Sequence, residues 1–447
     1  MQDAFIINGG KKLTGEVVLS GAKNVALKVI IAALLFEQEV ILKNIPRIND
    51  VHGLLELINT LGGKAEFIEE NTVRVDGRNI KENKIDMLLG SKIRASFMFF
   101  APLLKKFRSC YIPNPGGCRI GARPIDRVVN GIKSLGIEVD YDSETGYYKA
   151  AIGQQINYHY VFTKPSHTGT ELLILVGVVL SLLPEFKNKI IIENAALEPE
   201  IDDLINFMNL GGAQIKRQNN NIEIEKTDRL EQKQSYTIIS DRNEAITYAS
   251  LAIAGQSEIV VKEVPENLIR TFLNALQQVG GGAEQIAPAK FRFFYKGPLR
   301  AMDIETNVHP GFMTDWQPNW TILMTQAQGE SKIIERVFEN RFAYVEELNK
   351  LGAHIEFIDP QVADPQNYFY FNYDRSKDNR QGVLIHGPRK LHNGVININD
   401  LRAGAALAVA ALIAEDESII NGASILERGY ENFVKKISNL GGDIKKI

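Results

Sequence analysis

The sequence predicts an α/β chain made of six copies of one unit, grouped as two domains of three. Three observations carry this. The first is a recurring amphipathic helix that ends in an apolar residue and glycine and then enters a short strand. It appears as ELINTLGGKAEF around Gly62, GIKSLGIEVDY at Gly136, NFMNLGGAQI at Gly211, NALQQVGGGAEQI at Gly280, EELNKLGAHIEFI at Gly352 and KKISNLGGDIKKI at Gly441. The second is their near-even spacing, with successive intervals of 74, 75, 69, 72 and 89 residues. The third is another helix, apolar on nearly every side, in the same register of each copy.

Each element has a local reason. The glycine closing each amphipathic helix can adopt a left-handed conformation, so the chain reverses into a strand. The apolar helices are expected over Lys23 to Phe36, Arg94 to Phe107, Thr168 to Leu183, Arg242 to Ala254, Asp315 to Gln328 and Leu401 to Ala414. A helix apolar all round is buried, whereas an amphipathic one is half exposed. Each copy therefore holds a central helix, an outer helix and several short strands. One copy cannot cover its own sheet, so three per domain is the natural grouping. The boundaries are expected at 22–239 for the first domain and 1–21 plus 240–447 for the second. The long last interval comes from Asp359 to Gly382, rich in Asp, Asn and Tyr, which is expected to be an exposed insertion.

Composition excludes several function classes. The chain has 447 residues, 45% hydrophobic and 23% charged, as a soluble globular protein does. A net charge of −3 provides no basic field for nucleic acid or an anionic membrane. Only Cys110 and Cys118 are present, which points to a reducing compartment, and the first residues lack a signal-peptide pattern, so a cytoplasmic location is expected. The most apolar runs, Leu172 to Leu183 and Ala403 to Ala414, fall short of the roughly 20 residues a membrane span needs. The seven histidines are scattered, and Cys-x-x-Cys, Walker and dinucleotide fingerprints are missing, so no metal or organic cofactor is implied.

Polar residues gather at the starts of the six apolar helices: Lys23-Asn24, Arg94-Ala-Ser96, Lys164-Pro-Ser166-His167, Asp241-Arg242, Thr314-Asp315 and Asp400-Leu-Arg402. N-capping accounts for Asp241, Thr314 and Asp400. It does not account for Lys23, Arg94 or Arg402, because a cation there opposes the helix dipole; a bound anion is the better explanation. The segment from Pro113 to Arg127 holds two further prolines and several glycines, so it forms a loop. Cys118 sits near its tip with Arg119, Arg123 and Arg127 close by, cations that favour a thiolate and suit a phosphate. Cys110, beside Phe107 and Tyr111, is expected to be a buried hydrophobe.

At these residues the chain resembles the UDP-N-acetylglucosamine enolpyruvyl transferases of bacterial cell-wall synthesis. The matching segments are SGAKN at Ser20 to Asn24, RAS at Arg94 to Ser96, GGCRIGARPID at Gly116 to Asp126 and IIENAALEPEI at Ile191 to Ile201. HPGFMTDWQ at His309 to Gln317, VFENRF at Val337 to Phe342, DLRA at Asp400 to Ala403 and ERGYE at Glu427 to Glu431 complete them. The resemblance spans nearly the whole chain. It implies two inside-out α/β barrels, each of three βαβαββ units, with the substrates in the cleft between them.

The resemblance implies transfer of the enolpyruvyl group of phosphoenolpyruvate to the 3′-hydroxyl of UDP-N-acetylglucosamine, with release of phosphate. This chemistry needs an acid, a base and an anion clamp. Cys118 matches the family's proton donor, which also forms an adduct with phosphoenolpyruvate and is alkylated by fosfomycin. Asp315 matches the carboxylate near the attacking hydroxyl. Lys23, Arg123 and Arg428 match the phosphoenolpyruvate clamp, with Asn24 and Arg402 beside it. Arg94, the stretch Arg123, Pro124, Ile125, Asp126 and Arg127, then Lys164, Ser166, His167, Asp315 and Val337 match UDP-sugar contacts. Arg341 and Asp400 are expected to support the site, as are the carboxylates of Glu198 and Asp241. Some positions depart from the family pattern: Met98 replaces a larger residue, His167 to Thr170 replaces Val-Gly-Ala-Thr, Glu427 replaces Asp, and Asn243 to Thr247 replaces Ile-Glu-Ala/Thr-Gly-Thr. Enolpyruvylshikimate-phosphate synthase shares the fold but lacks such a cysteine loop. A non-catalytic derivative would be expected to have lost Cys118, Lys23 or Arg428.

Overall fold

The computed structural model describes residues 3–116, 125–374, 376–377 and 380–447. It forms two compact bodies, one from residues 21–116 and 125–239, the other from 3–20 and 240–447.

Among the described residues each body carries three sheets. Five of the six have four strands, and in each of these a short leading strand pairs parallel to the next while the other two pair antiparallel. The sixth has three strands, and its leading strand is reduced to a parallel bridge between Lys84 and Tyr111. The chain changes body where a leading strand and the following helix part company. Thr14–Val18 leads the sheet of Glu258–Lys262, although helix Lys23–Ala33 follows it in sequence. Tyr236–Thr237 leads the sheet of Val40–Lys43, although helix Arg242–Ala254 follows it. The sixth unit is completed by the N-terminus: Ala4–Asn8 lies between Glu417–Asn421 and Asp443–Lys446.

The apolar helices are central, as their composition requires. Every residue of Arg242–Ala254 and of Gln317–Thr325 is buried, and so is nearly all of His167–Ser181 and Leu401–Ile413. The sheets stand outside them as separate layers, with one face on the helices, so the strands do not close into a single barrel among the described residues. The amphipathic helices, such as Glu266–Gln278, bury one stripe and expose the other.

Four local expectations need correction. The second central helix is α-helical only over Phe100–Phe107; Arg94–Phe99 winds as a 3₁₀ helix. Pro102 has no N–H to give the Met98 carbonyl, so an α-helical bond is missing there. The fifth helix runs over Gln317–Thr325, because Pro318 suits a first turn and leaves Thr314 to Trp316 in the turn before it. In the third unit the left-handed residue is Gly212, with φ of 108°, while Gly211 closes the helix at φ of −80°. The other five glycines take positive φ as expected, between 89° and 97°. The insertion is less exposed than its composition suggests. Phe369 and Phe371 are buried, the Phe369 and Tyr373 rings stack at 5.0 Å, and the Arg336 guanidinium lies 4.3 Å from the Tyr368 ring centre.

Candidate active site

Asp315 lies in the turn that opens the fifth central helix. It is the centre of a charged cluster built from the starts of three helices. Arg341 donates from Nη2 to Asp315 Oδ1 at 2.6 Å and from Nη1 to the Thr314 hydroxyl at 2.8 Å. That hydroxyl donates in turn to Glu335 Oε2 at 2.8 Å. Glu335 stands at the end of strand Gly329–Ile334, and its other oxygen accepts the N–H groups of Val337 and Phe338. Arg402, in the sixth helix, donates to Asp241 Oδ2 at 3.0 Å, and its Nε lies 3.8 Å from Asp315 Oδ2. Its guanidinium faces the Tyr430 ring at 5.3 Å.

Charge and burial compete in this cluster. Burial pushes the Asp315 carboxyl up, but Arg341, Arg402 and Arg242 outweigh it and hold it at about 2. Burial also pushes Glu335 up, and there it prevails over Arg341 and the hydrogen bonds. Burial weakens the charged form of Arg341 and Arg402, yet the carboxylates facing them win and both remain firmly protonated. Arg341 Nε and Arg402 Nη1 are buried and have no hydrogen-bond partner among the described residues. Donors of that kind suit an anionic ligand.

Asp241 and Asp400 cap their helices, accepting from the N–H groups of Asn243 and Ala403. Thr314 does not cap: its hydroxyl is used between Arg341 and Glu335. Asp400 also helps to hold the charge of Arg341. Arg428 and Val337 are half-buried in the same body.

In the other body, Lys23 begins its helix and pairs with Asp50 at 2.7 Å, both side chains about nine-tenths buried. Asn24 beside it is half-buried. The cations that oppose their helix dipoles at Lys23 and Arg402 thus find protein carboxylates, Asp50 and Asp241, rather than depending on a bound anion alone. Ser166 caps helix His167–Ser181 through the Gly169 N–H. His167 Nε2 lies 3.1 Å from Glu171 Oε1, and Lys28 Nζ lies 3.2 Å from Glu171 Oε2, with Glu171 fully enclosed. Burial opposes the His167 charge, but Glu171 and then Glu198 outweigh it and raise the imidazole to about 8. Glu198 is buried, and its Oε2 has no hydrogen-bond partner among the described residues. Arg94, Arg127 and Lys164 are half-buried, Ile125 is buried and Asp126 is exposed. Met98 is fully enclosed in the core.

Cys118, Arg119, Arg123 and Pro124 lie outside the described residues. Cys110 is 1% exposed, and burial pushes its thiol far above the ordinary range, so it is the inert cysteine the sequence implies. Residue type alone did not single out Asp50, Glu171, Glu335 or Tyr430, because nothing near them in sequence marks them as partners of a cation.

The EPSP synthase (3-phosphoshikimate 1-carboxyvinyltransferase) family matches residues 7–437. The UDP-N-acetylglucosamine 1-carboxyvinyltransferase 1 of Carboxydothermus hydrogenoformans is 36% identical, covering 100% of this chain and 98% of that one. The chain belongs to the UDP-N-acetylglucosamine 1-carboxyvinyltransferase family. The Thermodesulfovibrio yellowstonii enzyme of that name is also 36% identical, over 100% of both chains. Among solved structures, the enolpyruvyl transferase NikO from Streptomyces tendae superposes with a TM-score of 0.83 at 19% identity, over 100% of this chain and 99% of that one. EPSP synthase from Acinetobacter baumannii superposes at 0.71 and 16%, over 100% of both. The enolpyruvyl transferase fold is thereby shown. No helix among the described residues is long and apolar enough to cross a membrane.

Proposed function

We propose that the chain transfers the enolpyruvyl group of phosphoenolpyruvate to the 3′-hydroxyl of UDP-N-acetylglucosamine and releases phosphate, the first committed step of peptidoglycan precursor synthesis. Full-length identity of 36% to enzymes named for this reaction carries the reading. The Asp315–Arg341–Arg402 cluster supports it.

In this reading Cys118 gives a proton to C3 of phosphoenolpyruvate, leaving positive charge at C2. The sugar hydroxyl then attacks C2 and loses its proton to Asp315. A carboxyl held at about 2 is a weak base for an ordinary alcohol. An alcohol oxygen forming a bond to a cationic carbon is strongly acidic, so a weak but well-oriented base suffices. Arg341 fixes the orientation, and Thr314 and Glu335 fix Arg341. Lys23, Asn24, Arg123, Arg402 and Arg428 take the carboxylate and phosphate of phosphoenolpyruvate. Arg94, residues 123–127, Lys164, Ser166, His167 and Val337 take the UDP-sugar, with Glu198, Asp241 and Asp400 in support. Collapse of the tetrahedral adduct expels phosphate from C2 as C3 gives up a proton to the Cys118 thiolate, which restores the double bond of the enolpyruvyl group and the thiol.

The test is phosphate release from phosphoenolpyruvate with UDP-N-acetylglucosamine, run beside shikimate 3-phosphate. Release with the nucleotide sugar alone is expected; release with shikimate 3-phosphate alone would overturn the reading.

A further inference from the structure

Two histidines 32 residues apart in sequence are brought side by side by strand register. Ile355 pairs with Ile385 across an antiparallel ladder, and the His386 N–H donates to the His354 carbonyl at 2.9 Å. On the other side of His386, Glu330 is its direct cross-strand partner. Side chains alternate across a strand, so Glu330, His386 and His354 form a row on one face, with Glu356 two residues from His354 on that same face. The opposite face carries Ile333, Ile355 and Ile385, which are buried.

The two imidazoles stack with centroids 4.3 Å apart. Glu356 Oε1 lies 3.1 Å from His354 Nε2 and 3.7 Å from His386 Nε2. Ligands about 2.0–2.2 Å from one tetrahedral zinc ion stand roughly 3.3–3.6 Å apart, so this spacing is close to that of a coordination shell. His386 has its other nitrogen, Nδ1, 3.1 Å from Glu330 Oε1. A carboxylate there keeps the proton on Nδ1 and leaves the Nε2 lone pair free for an ion. That Nε2 is buried and has no hydrogen-bond partner among the described residues.

We infer that His354, His386 and Glu356 form a binding site for a borderline divalent cation of the zinc class, with Glu330 orienting His386. The donor set of two imidazoles and one carboxylate leaves a fourth position for water. Arg389 opposes the ion: its Nη2 lies 2.6 Å from His354 Nδ1 and adds a positive charge. On binding, His354 Nε2 exchanges its proton for the metal, Nδ1 takes a proton, and the Arg389 side chain turns into solvent. The ion then ties strand Ile355–Ile358 to Gly382–Gly387 at the hairpin end opposite the insertion. The site rests on one sheet and on none of the groups assigned to enolpyruvyl transfer.

The test is titration of the full chain with zinc chloride by calorimetry, with cobalt(II) as a spectroscopic probe. One ion per chain is expected, giving four-coordinate cobalt bands without the sulfur-to-metal band that binding at Cys118 would produce. Zinc should raise the melting temperature, and affinity should fall on acidification because imidazole binds the ion only when neutral. His386→Ala should abolish this binding and leave turnover unchanged. Glu330→Gln, which preserves shape, should weaken it roughly 10–100-fold, and Arg389→Ala should tighten it. His392→Ala serves as a control and should have no effect. A sulfur-to-cobalt band, undiminished zinc binding in both His386→Ala and Glu330→Gln, or no binding by the parent chain would each overturn the site.

Discussion

Arg341 grips Asp315 through a 2.6 Å bond from Nη2 to Oδ1, and the arginine side chain is only 2% exposed. The guanidinium thus determines both where the carboxylate points and how acidic it is. Asp315→Asn keeps the shape and removes the charge. It should leave the fold intact and lower turnover by roughly 10²–10⁴-fold, the usual contribution of a positioned base. Circular dichroism and phosphate release check the two halves. Turnover within a few-fold of the parent would make Asp315 a structural residue.

The same pair sets an acid limit. Asp315 titrates at about 2 when folded, below its ordinary value of 3.8, so its contribution to stability is complete above that ordinary value and is lost as pH falls toward 2. Asp315→Asn should therefore flatten part of the acid limb of a melting-temperature profile. An unchanged limb would show that Arg341 and Arg402 do not act on this carboxyl.

Arg341→Ala takes from Glu335 the guanidinium that faces it and leaves Asp315 facing only Arg402 and Arg242. Breaking a buried pair in this way costs about 3–5 kcal/mol. A marked fall in melting temperature is expected, together with loss of turnover. Arg341→Lys keeps the charge but loses the two-pronged hold on Thr314 and Asp315, so it should fold and turn over poorly.

Local features of the fold were legible in the sequence, and pairings between distant residues were not. The central helices and five of the six left-handed glycines follow from short-range rules of burial and backbone freedom. Pro102 and Pro318 moved two helix starts through a single missing N–H each. Lys23 and Arg402 stood out as cations at helix starts, but their partners could not be found: Asp50 lies 27 residues from Lys23, and Asp241 lies 161 residues from Arg402. Thr314 resembled a cap because a hydroxyl before a helix ordinarily is one; only Arg341 and Glu335, fixed by tertiary packing, give it another task. The histidines are scattered in sequence, and the strand register across an insertion that pairs His354 with His386 is invisible to local reading.

His167 should titrate with the opposite sign to Asp315. Its imidazole is raised to about 8 from 6.5, so the stability it contributes is fully present below 6.5 and is lost as pH rises through 8. The shift is worth about 2 kcal/mol at most. Glu171 is the main partner raising it, with Glu198 adding to the effect and Lys28 opposing it. An NMR titration of the ring should show a midpoint near 8 in the parent and a lower one in Glu171→Gln. Equal midpoints would remove Glu171 as the cause.

The two cysteines should differ sharply toward an electrophile. Cys110 lies in strand Ser109–Pro113 and is 1% exposed; burial alone raises its thiol, and only a thiolate attacks an epoxide. Cys118 follows two glycines and precedes Arg119, with Arg123 and Arg127 near in sequence. Fosfomycin should therefore label Cys118 and spare Cys110. UDP-N-acetylglucosamine should speed the labelling, and the same ligand should protect residues 113–124 from proteolysis. Cys118→Asp should keep at least part of the activity, because a carboxylic acid also donates a proton, yet should resist the inhibitor, because a carboxylate is a far poorer nucleophile toward the epoxide. Mass spectrometry of peptides from the treated protein decides. Labelling at Cys110 alone, or no labelling of an active enzyme, would remove Cys118 from the proton-donating role.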